Sequence, residues 1–238
     1  MITVGDAYLV LTPDDIYTVS MLTTAHQKLG HNKEFAAFGE KVFAANPSDN
    51  LAYYLAKAYL DLKNDAKFFE YGEKVATMMP NNHEILLELT RKSAEAKRSA
   101  QAVKYARQCI KALQESTKPG ETPDKTWKDY QTFVFATCYA IVGYNAYERQ
   151  DYPGTISNYE ASIRYAPKNE LAYYYMANAY WQTGKIDLAM KNFAKAYLLK
   201  GKVAGAAKQH LDNLYKSTHQ QTLVGQERVI EKARSELP

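Results

Sequence analysis

The residues of this 238-residue chain that could do chemistry are five histidines, two cysteines and an unusual number of tyrosines. His26, His31, His83, His210 and His219 are scattered, without an HExxH or any paired-ligand spacing, so no zinc site is expected. Cys109 and Cys138 fall in helical stretches outside any CxxC or Cys/His pattern and read as buried reduced thiols. No P-loop, no GxSxG and no paired carboxylates in a glycine-rich cleft occur. Glu148 and Asp151, close to Tyr147, form an acidic cluster at a helix end that reads as solvated. The expectation is a chain without catalytic residues, metal or cofactor. The tyrosines remain. Twenty of them against eight phenylalanines means that many aromatic sites keep a hydroxyl within reach of water or a polar partner.

The net charge of +4 is small for this length, and lysines and glutamates are interspersed. No basic block resembles a nucleic-acid arm, so nucleic acid is not an expected partner. No apolar run approaches a membrane span. The opening MITVGDAYLVLTPDD lacks the basic start and apolar core of a signal peptide.

The element that must position these residues is clearest in the stretch from Glu170 to Lys200. Tyr173, Met176, Ala177 and Tyr180 share one helical face, Gly184 supplies a turn, and Ile186, Ala189, Phe193 and Ala196 mark a second helix. Neither helix is long enough to stand alone in water, so the pair needs neighbours. The cadence of a helix end closing on proline recurs at Pro13, Pro47, Pro80 and Pro167. Pro13 to Pro47 is 34 residues and Pro47 to Pro80 is 33, the period of a helix–turn–helix array.

Over residues 8 to 201 the chain resembles the tetratricopeptide repeat (TPR) family. Residues 170–201 carry the pattern in Tyr173, Met176, Ala177, Tyr180, Ala189, Phe193 and Ala196, departing at Gly201. The repeat from Ala136 to Asn169 carries it in Tyr139, Val142, Gly143, Tyr159 and Pro167, departing at Ala146 and Thr155. The repeats at 16–48 and 49–82 depart together: Phe35 and Phe68 stand where the family has a small residue, Gly39 and Gly72 where it has a large aromatic. Volume exchanged between adjacent turns is tolerated when both change at once, and the shared Gly-Glu-Lys-Val at 39–42 and 72–75 suggests a stacking geometry of their own. The resemblance implies an all-α, right-handed superhelical array of antiparallel helix pairs, an α-solenoid of about five repeats.

The organisation expected is a partial repeat or capping helix at 1–15, three repeats over 16–114, a polar proline-containing insertion at 115–124, two repeats over 125–201 and capping helices over 202–238. The third repeat, His83 to Gln114, lacks both the turn glycine and the closing proline. After the insertion, Thr122, Pro123 and Asp124 read as N-cap, first helical residue and first-turn acid. The helix that follows, to Arg149, is about twice the usual length, and its leading Trp127, Tyr130 and Phe133 either cover the insertion and third repeat or offer a partner surface. Helices over 203–217 and 224–237 carry narrow apolar stripes suited to ending a stack. Residues 6–13 resemble the end of a repeat whose first helix is absent. That favours a chain cut from a longer array and leaves an exported parent, and hence the compartment, open.

In TPR proteins the first helices line the concave side. The resemblance therefore implies a peptide-binding groove formed by Tyr17, Ser20 and Thr24, by Tyr53, Lys57 and Leu60, by Leu87 and Arg91, by Tyr144 and Tyr147, and by Tyr174, Asn178 and Trp181. The run Tyr173-Tyr174-Tyr175 supports this independently, because successive helical residues point about 100° apart and three in a row cannot all be core. The groove expected is aromatic, hydroxyl-rich and mildly cationic, and its partner a protein or peptide segment. The Lys and Asn pairing with which some TPR proteins hold a C-terminal carboxylate is not reproduced. The competing reading is self-assembly into a homo-oligomer through apolar surface at the N-terminal end of the stack, at Tyr8, Leu9 and Leu11.

Overall fold

A computed structural model describes residues 2–12 and 14–238, with side chains from Asp6 onward; Pro13 of the cadence lies outside the described residues. Among the described residues there are thirteen helices and no strand. They form two compact units, Met1–Ser116 and Thr117–Pro238. The first holds α1 (Ile2–Leu11), α2 (Ile16–Lys28), α3 (Asn32–Ala45), α4 (Asp49–Asp61), α5 (Asp65–Met78), α6 (His83–Glu95) and α7 (Ser99–Glu115). The second holds α8 (Asp124–Glu148), α9 (Tyr152–Tyr165), α10 (Glu170–Gln182), α11 (Ile186–Leu198), α12 (Ala204–Thr218) and α13 (Gln226–Ser235). From α2 to α11, consecutive helices pair as first and second helix of five repeats.

Local chemistry sets where the first helices start and stop. Asp15, Ser48, Asn82 and Asn169 cap α2, α4, α6 and α10 by accepting backbone N–H groups of the first turn, which satisfies donors the helix itself leaves open. Each first helix ends on a left-handed residue: Gly30, Lys63, Lys97, Gln150 and Gly184, with φ from 55° to 72°. The following N–H then reaches back five residues, as in His31 to His26 O at 2.8 Å, Arg98 to Ser93 O at 2.8 Å and Lys185 to Tyr180 O at 2.8 Å. This is the Schellman closure. The third repeat has it without the glycine that marks the turn in sequence, because the hydrogen bonds and packing hold Lys97 in place.

In the first unit, Phe35 and Phe68 are fully buried. A methyl group on Gly39 would lie 3.0 Å from Leu55 Cδ2, and one on Gly72 3.0 Å from Leu89 Cδ2. Each glycine thus admits a leucine from the first helix of the next repeat. The glutamate that follows each glycine joins the same two repeats through a hydrogen bond. The Tyr71 hydroxyl donates to Glu40 Oε1 at 3.3 Å, and the Tyr105 hydroxyl to Glu73 Oε1 at 3.2 Å. Val42 and Val75 are buried. The Gly-Glu-Lys-Val segment is therefore a joint between consecutive second helices. Lys67 completes it, reaching Glu40 at 2.7 Å and Glu70 at 3.0 Å.

In the second unit Tyr159, Tyr173, Met176, Phe193, Leu211 and Tyr215 share one core. The α12 and α13 pair covers α11, and Lys191 and Lys195 hold Glu236 at 3.1 and 2.8 Å. At Gly201, where the family has proline, a Cβ would collide with the Glu170 carboxylate, which accepts the Lys202 N–H at 2.6 Å. Cys109 and Cys138 are free and buried.

Three local expectations are corrected. Pro123, in extended backbone with ψ 141°, is itself the residue before α8 and no side chain caps that helix; Thr122 does not, and Lys118 instead pairs with Asp124. The two C-terminal helices are Ala204–Thr218 and Gln226–Ser235, because Gly225 takes φ 90° and delays the second. Leu9 is fully buried rather than exposed, while Tyr8 and Leu11 on its flanks are open.

Candidate functional site

The groove residues expected from sequence fall in both units. In the first, Tyr53 on α4 donates its hydroxyl to Glu84 Oε2 on α6 at 2.7 Å. Lys57, one turn on, donates to the Tyr53 hydroxyl at 3.2 Å, lies over its ring at 5.2 Å and sits 4.0 Å from Glu84. Arg91 on α6 is exposed and paired with Glu88 at 2.9 Å. Tyr17 on α2 is 80 % exposed. The mildly cationic surface expected here is not what forms: Lys57 and Arg91 are each matched by a carboxylate, Glu84 and Glu88, absent from the expected site.

The second unit brings its candidates together. Tyr144 and Tyr147 come from α8, Tyr174, Asn178 and Trp181 from α10. Further rings join them, buried Phe193 and Tyr159 among them. Tyr175 meets Tyr147 at 4.9 Å, Tyr144 at 5.3 Å and Tyr174 at 5.7 Å. His210, on α12, meets Phe193 at 5.2 Å, Trp181 at 5.8 Å and Tyr174 at 5.9 Å. The result is one aromatic network across α8 to α12, with Tyr144 and Trp181 at its exposed edges. Ring-to-ring contacts at these separations add to the packing of each ring.

Asn178 departs from the expected exposure. It is buried, and its amide donates to the Tyr174 carbonyl at 2.8 Å. A side chain that bonds its own helix one turn back is not offered to solvent. Tyr173 is core, and Tyr174 and Tyr175 are half-buried.

Burial raises the Tyr144 phenol pKa, and its hydrogen bond to Glu148 raises it further. Burial does the same for Tyr147 and Tyr175, reinforced by neighbouring phenols and by Glu148. All three therefore keep their protons well above neutral pH. Tyr175, His210 and Glu148 were outside the expected groove set. The triple tyrosine was the only sequence signal for the first, and α12 lies beyond the region that resembles the repeat.

Along the middle of α8, Phe133, Ala136, Ala140 and Ile141 border an apolar notch of roughly 800 Å³ with Tyr165, Pro167 and Pro238. Trp127 and Tyr130 stack at 5.7 Å. No group of His, Cys, Asp and Glu among the described residues could hold a metal ion. No helix among them is long and apolar enough to cross a membrane.

Helix pairs closed by the same left-handed turn, at an interval of 33 or 34 residues outside the insertion, define the tetratricopeptide-repeat fold. Solved structures share it. The chain is similar to MamA, at 19% identity over 80% of this chain and 94% of that one, with a TM-score of 0.55. It is also similar to YrrB, described as a TPR protein with an unusual peptide-binding site, at 13% identity over 86% and 97%, with a TM-score of 0.60. At these identities the likeness concerns the fold. No protein-family model matches the chain, and no curated protein matches it in sequence.

Proposed function

We propose that the chain is a protein-interaction scaffold that holds a peptide or protein segment against the first-helix faces of its repeats. The observation that carries this reading is the aromatic network of the second unit. Tyr144, Tyr147, Tyr174 and Trp181 present rings with polar handles on the adjacent first helices α8 and α10, partly exposed and held in place by Tyr175 and His210. Rigid tyrosine and tryptophan surface gives a large contact area at small entropic cost, and these residues dominate binding hot spots. YrrB, which shares the fold, is described as having a peptide-binding site. In the first unit Tyr17, Tyr53, Lys57 and Arg91 extend the reading as polar contacts.

The test is capture of partners from a native extract, identified by crosslinking and mass spectrometry. Tyr147→Ala combined with Trp181→Ala should abolish capture while circular dichroism still reports a folded helical protein. Undiminished capture by the folded double variant would overturn the site.

One observation favours a second reading, a self-assembling module. Tyr8, Leu11, Tyr17 and Met21 at the N-terminal end are all exposed, Leu11 and Tyr17 to 80 %. Light scattering over a concentration series separates the two: mass that grows with concentration and falls with Leu11→Lys belongs to assembly.

A further inference from the structure

The distribution of charge around the aromatic network says what kind of residue it receives. From Tyr130 to the end of α8 there is no lysine or arginine, and there is none in α10. The acids on these stretches are Glu148 and Glu170. Glu170 accepts the Lys202 N–H through Oε1, and its other oxygen is buried. Glu148 is exposed and forms no ion pair among the described residues. It lies against Tyr144 as the last residue of α8. The C-terminal end of a helix carries partial negative charge, so carboxylate and helix end act in the same sense. Arg149 follows at the helix cap, exposed.

The rings agree with the charges. A neutral phenol offers a face of negative potential, which attracts an ammonium or guanidinium group. Three of the chain's own lysines in this unit stand over other rings: Lys195 over Tyr173, Lys185 over Tyr180 and Lys208 over Tyr197. Tyr144 and Tyr147 converge on Tyr175 at 5.3 and 4.9 Å, and Tyr144 is hydrogen-bonded to the Glu148 carboxylate. An acidic segment or a terminal carboxylate would meet repulsion there.

We infer that the anchor of the second unit is a receptor for one basic side chain, arginine or lysine, of a partner segment, taken up between Tyr144, Tyr147 and Glu148. The inference rests on the scaffold reading and goes beyond it by naming the chemistry of the partner. Arginine is the better fit, because a planar guanidinium stacks on a ring and bonds a carboxylate side-on at once.

The experiment is selection of a displayed random dodecapeptide library on the whole chain, followed by affinity measurement of the selected peptides at low and physiological salt. Selected peptides should share a basic residue, and its replacement by glutamine should weaken binding about tenfold or more. Glu148→Gln should weaken the same peptides by a comparable factor and flatten their salt dependence, with circular dichroism unchanged because Glu148 is exposed. Glu148→Lys should abolish binding, and N-acetyl-arginine amide should compete with the peptides. Peptides selected without a shared basic residue, or basic peptides indifferent to Glu148→Gln, would overturn this inference and leave the scaffold reading standing. A library that yields no binder at all would count against both.

Discussion

Gly72 shows how much a single position decides in this molecule. In the TPR pattern a large aromatic belongs there, yet Leu89 Cδ2 of the next repeat comes within 3.0 Å of the place a Cβ would take. The missing volume stands one turn earlier, in fully buried Phe68. Gly72→Phe is expected to destabilise the chain by about 2–3 kcal/mol through overpacking. Phe68→Ala should cost about 3–5 kcal/mol through the cavity it leaves. Combined as Phe68→Ala with Gly72→Phe, the substitutions should cost clearly less than the sum of the two single changes, because neighbours that share one space are not additive. Chemical denaturation of the two single variants and the double variant measures this; strict additivity would refute the exchange of volume. The paired departure at Phe35/Gly39 and Phe68/Gly72 was visible in sequence. The identity of the leucine that enters was not, since it lies in another repeat.

Among elements, the turn between helices is the most uniform feature and the one least dependent on residue type. Gly30 and Gly184 occupy the left-handed position, but so do Lys63, Lys97 and Gln150. A residue with a Cβ held there is strained by about 1–2 kcal/mol, a cost the Schellman bonds and the packed helix pair offset. Lys97→Gly should therefore raise stability by up to about 1 kcal/mol, reduced by the extra freedom glycine gives the unfolded chain. Lys97 is exposed and the Lys97 N–H to Ala94 O bond is retained, so no contact is lost. The midpoint of denaturation reports it; an unchanged or lower midpoint would mean that this turn carries no strain. The position was legible from sequence where glycine marks it and from the period where it does not. The first residue of α8 was less legible. Thr-Pro-Asp matches a capping signature, but Lys118 takes Asp124 and the helix starts beyond the proline.

For the whole molecule, carboxylates joined to lysines tie stability to pH in both units. Burial raises the Glu40 pKa, but its hydrogen bonds to Lys67, Tyr59 and Tyr71 outweigh this and hold it below its ordinary value. Glu70 is lowered by hydrogen bonding to Lys67 and Lys74, and Glu236 by Lys195 and Lys191. A group whose pKa is lower in the folded state contributes stability that is present above its ordinary value of 4.5 and lost as pH falls through the folded pKa. Stability should therefore be steady near neutrality and decline below about pH 4.5. Glu40→Gln should lower the neutral-pH stability by about 0.5–1 kcal/mol, the scale of a part-exposed ion pair, and flatten the acid decline. Denaturant titrations at pH 7 and pH 3.5 check this, and an equally steep decline in the variant would show that Glu40 is not a source of it.

Period, turn and apolar spacing are properties of neighbours along the chain. The sequence alone therefore determined that this protein is a stack of paired helices and on which helices the exposed tyrosines would lie. What surrounds each of them is a property of neighbours in space. Only the tertiary structure decided that Asn178 is buried, that Lys57 is matched by Glu84 on another helix, and that Tyr175 and His210 complete the aromatic network. The physical reason is that burial, ring contacts and pairings between helices are set by elements about 30 residues away, whose approach no local spacing encodes.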